Sequence, residues 1–94
     1  MRDLIWSNTF FRAMKRQLRR RPEIAEDVKR TLRLLAQDPF MPRLETHKLK
    51  GKMSGSWACS VQHDLRVVFD FVKSDTEGED NIFLIDIGTH EEVY

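Results

Sequence analysis

The sequence predicts an α+β domain in which an N-terminal strand and a helical hairpin pack on one face of a small, mainly antiparallel sheet. Three observations predict it. Apolar side chains recur at helical spacing in two blocks on either side of Pro22, and from Trp57 onward the period changes to two. The order of the elements (strand, two helices, then adjacent strands) is that of a sheet covered on one face by helices. Ninety-four residues, 1–94, make one domain, with no repeat or linker.

Leu4-Ile5-Trp6 reads as a short first strand, and Ser7 or Asn8 as the N-cap of the helix after it. Phe10, Phe11, Met14 and Leu18 form the apolar stripe of that helix. Pro22 ends it and opens the next, whose core face is Ile24, Val28, Leu32 and Leu35 and whose first turn carries Glu23, Glu26 and Asp27 toward the positive end of its dipole. Asp38-Pro39 stops the second helix, and Pro39 to Pro42 form a loop. Trp57, Cys59 and Val61, then Leu65, Val67, Phe69 and Phe71, are the inward residues of two strands joined by a tight turn at His63-Asp64. Ile82 to Ile87 is a third, nearly continuous apolar run, expected to be a central strand; Ser74 to Asp80 is an exposed acidic loop.

The single cysteine, Cys59, rules out an internal disulfide, and no Cys/His cluster has zinc spacing. With no apolar run of membrane-spanning length and no signal peptide, the expectation is a soluble, cytoplasmic protein. Net charge is only +1, but residues 1–50 hold 13 Lys/Arg against 6 Asp/Glu, a net of +7, and residues 51–94 hold 3 against 9, a net of −6. A basic surface of that kind can bind a polyanion, or can simply be the solvated face of a helix.

Polar groups that interrupt apolar strands need partners. Arg66, among Leu65, Val67, Val68 and Phe69, is either paired with Asp70 or Asp86 or placed to fork onto a phosphate. His90 follows Gly88-Thr89 at the end of the last strand. His47 precedes Lys48, Lys50 and Lys52, whose alternate spacing would place three ammonium groups on one side of a strand. Two imidazoles suit proton transfer to and from an RNA backbone near neutral pH, and Lys and Arg suit a developing phosphorane. Three histidines without helical i, i+4 spacing make a poor metal site. Cys59 belongs to the core, and Trp57 is either core or a base-stacking platform, with core favoured.

His47-Lys48-Leu49-Lys50-Gly51, Gly55, Asp64-Leu65-Arg66-Val67-Val68-Phe69, Gly88-Thr89-His90 and Val93-Tyr94 occur in an order and spacing that resemble the RelE/ParE superfamily of bacterial toxins, above all its YafQ branch. The resemblance covers nearly the whole chain. It implies a RelE-like fold, ribosome-dependent cleavage of mRNA in the ribosomal A site without metal or other cofactor, and silencing by a cognate antitoxin. It carries site roles to His47, Asp64, Arg66 and His90, a base-stacking role to Tyr94, and RNA-binding roles to Lys50 and Lys52, which Lys48 joins by its spacing. It also exposes two departures: Ser60 stands where YafQ-like enzymes have a further histidine, and Asp86 where they have an arginine. Two rival readings follow: a ParE-like inhibitor of DNA gyrase without nuclease chemistry, and a catalytically weak member that acts mainly in an antitoxin complex.

Overall fold

The computed structural model describes residues 1–51, 54–75 and 78–93. The chain runs β1 (Leu4–Trp6), α1 (Asn8–Arg20), a 3-10 turn (Pro22–Ile24), α2 (Ala25–Gln37) and a second 3-10 turn (Pro42–Leu44). It continues with β2 (His47–Lys48), β3 (Trp57–Gln62), β4 (Leu65–Val72), β5 (Asn81–Gly88) and the short helix α3 (His90–Val93). The five strands form one sheet in the order β1-β5-β4-β3-β2. Only the β1–β5 pair is parallel; β2–β3, β3–β4 and β4–β5 are antiparallel. The α+β architecture expected from the sequence is the one observed.

Ser7 fixes where α1 starts. Its Oγ accepts the Phe10 N–H at 2.9 Å and donates to the Ile85 carbonyl at 3.2 Å, so one hydroxyl caps the helix and ties it to β5. Arg21, the residue before Pro22, adopts φ −139°, ψ 78°, outside the helical region as a pre-proline residue must, and α1 ends there. Asp38, ahead of Pro39, ends α2 in the same way at φ −158°, ψ 99°.

Along α2 the expected stripe is the observed one: Ile24, Val28, Leu32 and Leu35 are all buried. On α1 the expectation fails at one position. Phe10 is fully buried with Ala13 and Gln17, whereas Phe11 is 48% exposed. Phe10, Ala13, Met14, Gln17 and Leu18 follow the i, i+3, i+4, i+7, i+8 rule, and Phe11 lies a further 100° or so around the helix. It packs on Trp6 instead, with ring centroids 6.2 Å apart.

The main core lies between the helices and the odd-numbered residues of β3 and β4: Cys59, Leu65, Val67 and Phe69, with Ile82, Leu84 and Ile87 of β5. Burial pushes the Cys59 thiol up to about 12, so it is an inert core group. Trp57 is half-buried core, edge-on to Phe40 and Phe71 at 5.4 and 5.7 Å. A second, smaller cluster of Leu49, Ala58, Val68 and Val93 covers part of the opposite face of the sheet. The rest of that face is left to the polar residues described next.

Candidate active site

Cross-strand register builds the site. Ser60 on β3 stands opposite Arg66 on β4, and Arg66 stands opposite Gly88 on β5. The neighbouring row is His47, Ala58, Val68 and Asp86. His47 therefore lies one strand beyond β3, beside the Ser60–Arg66 row. Asp64 immediately precedes β4, and His90 follows Gly88 by two residues, so both come to the same end of the β4–β5 pair.

Arg66 is the centre of the arrangement. Its Nη1 donates to Ser60 Oγ at 3.3 Å and to the His63 carbonyl at 3.4 Å. Among the described residues these bonds, rather than an ion pair with Asp70 or Asp86, hold the guanidinium. A small pocket of about 90 Å³ is lined by Glu45, His47, Ser60 and Arg66. Ser60 serves here as an acceptor for Arg66.

His47 Nδ1 lies 3.1 Å from the Glu45 carbonyl, which can only accept, so in the neutral ring Nδ1 carries the proton and Nε2 the lone pair. Glu45 reaches this position through left-handed backbone, φ 51°, ψ 39°, at the end of the second 3-10 turn. A non-glycine residue in that region beside a pocket marks a constrained site.

His90 is positioned by the turn that carries it. Thr89 and Glu92 form a capping box: the Glu92 carboxylate accepts the Thr89 N–H at 2.9 Å, and the Glu92 N–H donates to Thr89 Oγ1 at 3.3 Å. Buried Gln17 of α1 donates to the same carboxylate at 2.9 Å, and Arg20 reaches its other oxygen at 3.4 Å. Gly88 lets α3 fold back this closely, because a Cβ there would lie 3.0 Å from the Glu92 Cβ and 3.1 Å from a Val93 methyl. On the other side, Asp64 Oδ1 accepts the His90 main-chain N–H at 3.5 Å.

The hydrogen bonds from Thr89 and Gln17, helped by Arg20, hold the Glu92 carboxyl down at about 2, below its ordinary 4.5. A carboxylate with a depressed folded-state pKa stabilises above the unfolded pKa and loses that contribution as pH falls through the folded one. Glu92→Gln is therefore expected to be less stable than the parent at pH 7, with the gap narrowing from about pH 4.5 to about pH 2. Urea denaturation at pH 7, 4 and 2.5 measures the gap; a gap independent of pH would contradict this account of the carboxylate.

Asp86 sits where β5 bulges: the register steps from Val68↔Asp86 to Phe69↔Leu84, leaving Ile85 as the extra residue. Asp86 accepts its neighbour's N–H, from Ile87, at 2.8 Å. Partial burial raises its pKa, against the lowering effects of that bond and of Arg16, and Glu92 raises it further. Its charged neighbours are thus on α1 and α3.

Lys48 and Lys50 stand apart from Arg66. His47 pairs with Ala58 and faces the smaller cluster, so Lys48, the next residue, points to the opposite face, where its ammonium lies 5.8 Å from the Trp57 ring centroid. β2 ends at Lys48, so the strand spacing does not extend to Lys50, which is exposed. Lys52 and Tyr94 lie outside the described residues. Sequence reasoning missed Glu45, Gln17 and Glu92. A Thr-x-x-Glu spacing was present to find Glu92; nothing local marks the backbone of Glu45 or the burial of Gln17.

In fold the chain is similar to several toxins. It aligns over its whole length with 99% of YafQ from Escherichia coli strain BL21(DE3), at TM-score 0.77 and 19% identity. It covers 97% of the toxin chain in the E. coli DinJ-YafQ toxin-antitoxin complex at TM-score 0.75 and 20% identity. With 94% of its own length it covers 98% of a YoeB/ParE toxin from Agrobacterium tumefaciens, at TM-score 0.74 and 22% identity. The architecture is that of these toxin structures. Residues 2–94 match the YafQ family, and the chain belongs to it: the bacterial toxins of type II toxin-antitoxin systems. A search of curated protein sequences finds no match.

Proposed function

We propose that this toxin is a metal-independent endoribonuclease that cleaves mRNA in the ribosomal A site, acts in the cytoplasm and is silenced by a cognate antitoxin. The observation that carries the reading is Arg66, which lines one pocket with His47 and stands across the β4–β5 pair from Gly88, two residues before His90. An RNA-cleaving centre needs a base for the 2′-hydroxyl, an acid for the leaving 5′-oxygen and a cation for the phosphorane.

In this reading His47 Nε2 takes the proton of the ribose 2′-OH. The 2′-oxygen attacks phosphorus, the bond to the 5′-oxygen breaks, and His90 protonates that oxygen. The products are a 2′,3′-cyclic phosphate and a 5′-hydroxyl. Arg66 spans the non-bridging oxygens. His47 suits the base because its Nδ1 is engaged by the Glu45 carbonyl, which orients the ring. Asp64 accepts the His90 main-chain N–H and suits the positioning of that residue rather than proton abstraction. Tyr94, Lys50 and Lys52 stay in the proposal as RNA contacts implied by the family, Tyr94 stacking on a base; Lys48, on the far face of β2, would contact RNA only at its edge. The antitoxin partner follows from family membership and from the relative solved with DinJ.

Expression of the wild type, His90→Ala and Arg66→Ala in bacterial cells tests the proposal. The wild type should arrest growth and cleave mRNA, and both variants should do neither. Unchanged arrest and cleavage by both variants would remove the assignment, and arrest with intact mRNA and inhibited gyrase would favour a ParE-like toxin.

A further inference from the structure

A larger cleft of about 410 Å³ adjoins the Arg66 pocket and shares Glu45, Ser60 and Arg66 with it. It opens between α2, the second 3-10 turn and the β3–β4 connection. Three arginines, Arg30, Arg43 and Arg66, line it against one carboxylate residue, Glu45, and the accessible apolar side chains of the wall are Leu34 and Val61. We infer that this cleft holds the nucleotide adjoining the scissile linkage, with its phosphate on Arg30 and Arg43 and its base over the apolar wall.

The inference deepens the RNA-cleaving reading and rests on it. Size, charge and continuity argue for this occupant. The volume lies within the usual range for small-molecule sites, and a nucleotide needs the same pairing of cationic forks with an apolar surface. Arg66 belongs to both pockets, so a strand whose scissile phosphate lies on Arg66 passes directly into the cleft. Arg30 is paired with Asp27 at 3.0 Å, but the pair is solvent-exposed, with 47% and 37% of the side chains accessible. Exposed pairs of this kind are weak, and a phosphate can displace or share the guanidinium.

The probes are a dinucleotide and a tetranucleotide of 2′-deoxyadenosine, which lack the attacking 2′-hydroxyl and cannot be cleaved by the proposed route. Binding to the purified toxin is followed by NMR titration at low salt. The tetranucleotide should bind about tenfold more tightly than the dinucleotide, as one added charge-assisted phosphate contact would give. The double variant Arg30→Gln/Arg43→Gln, with an unchanged circular dichroism spectrum, should lose most of that gain. The same gain in the double variant would overturn the inference, as would equal binding of the two lengths by the wild type. An unchanged gain together with lost binding of a polyglutamate peptide would assign the cleft to an acidic protein segment instead. The catalytic reading fails separately, through cleavage in cells that does not depend on His90 and Arg66.

Discussion

Arg66→Ala is expected to slow mRNA cleavage on purified ribosomes by about 10²–10³-fold, the usual effect of removing a donor aimed at developing charge. The side chain is half-buried at the start of β4, and its bonds to Ser60 Oγ and the His63 carbonyl aim it toward β3. Both acceptors lie near the exposed β3–β4 turn, where water can replace the guanidinium, so the loss should be in rate and not in fold. Arg66→Lys should recover only part of the activity, since it restores the charge without the planar fork. Single-turnover rates for the three proteins, with circular dichroism as a control, measure this. Cleavage by Arg66→Ala at the parent rate would show that the guanidinium does not meet the reacting phosphate.

The second large effect is on stability. Phe69→Ala is expected to cost about 3–5 kcal/mol. Phe69 is fully buried in the middle of β4, edge-on to Phe71 at 5.5 Å, and faces the helices with Leu65 and Val67. Against the 5–15 kcal/mol or so typical of a whole domain, such a loss would leave a substantial unfolded fraction near growth temperature. Phe11→Ala, which removes a ring of the same size that is 48% exposed, should cost far less. Urea melts of the two variants decide the matter; equal costs would contradict the assignment of Phe69 to the core and Phe11 to the surface.

Much of this fold was legible because the apolar periods are strong. The α2 stripe, the breaks at Pro22 and Pro39, and the inward residues of β3 and β4 need only local rules. Phe11 misled because two adjacent phenylalanines both fit a loose helical period, and only the sheet beneath selects one. Gln17 was invisible as a core residue because its burial depends on the Glu92 carboxylate, 75 positions away in sequence. The site was legible in part. Strand order sets Arg66 opposite Gly88, two residues before His90, and Asp64 meets the His90 main-chain N–H, but the three lysines were read on one face of a strand that ends at Lys48. Asp86, read from sequence as a candidate partner of Arg66, lies at a bulge that alternation alone does not reveal, with Arg16 and Glu92 as its charged neighbours.

The central claim is that this YafQ-family toxin cleaves RNA through His90 as proton donor, and the ends of the cleaved strand test it most directly. Purified toxin is incubated with ribosomes carrying a defined mRNA, and the fragment termini are identified chemically. The account predicts a 2′,3′-cyclic phosphate and a 5′-hydroxyl from the wild type, with the His90→Ala rate lower by about 10²–10⁴-fold. An intact mRNA, or the same products at the same rate from His90→Ala, would contradict it.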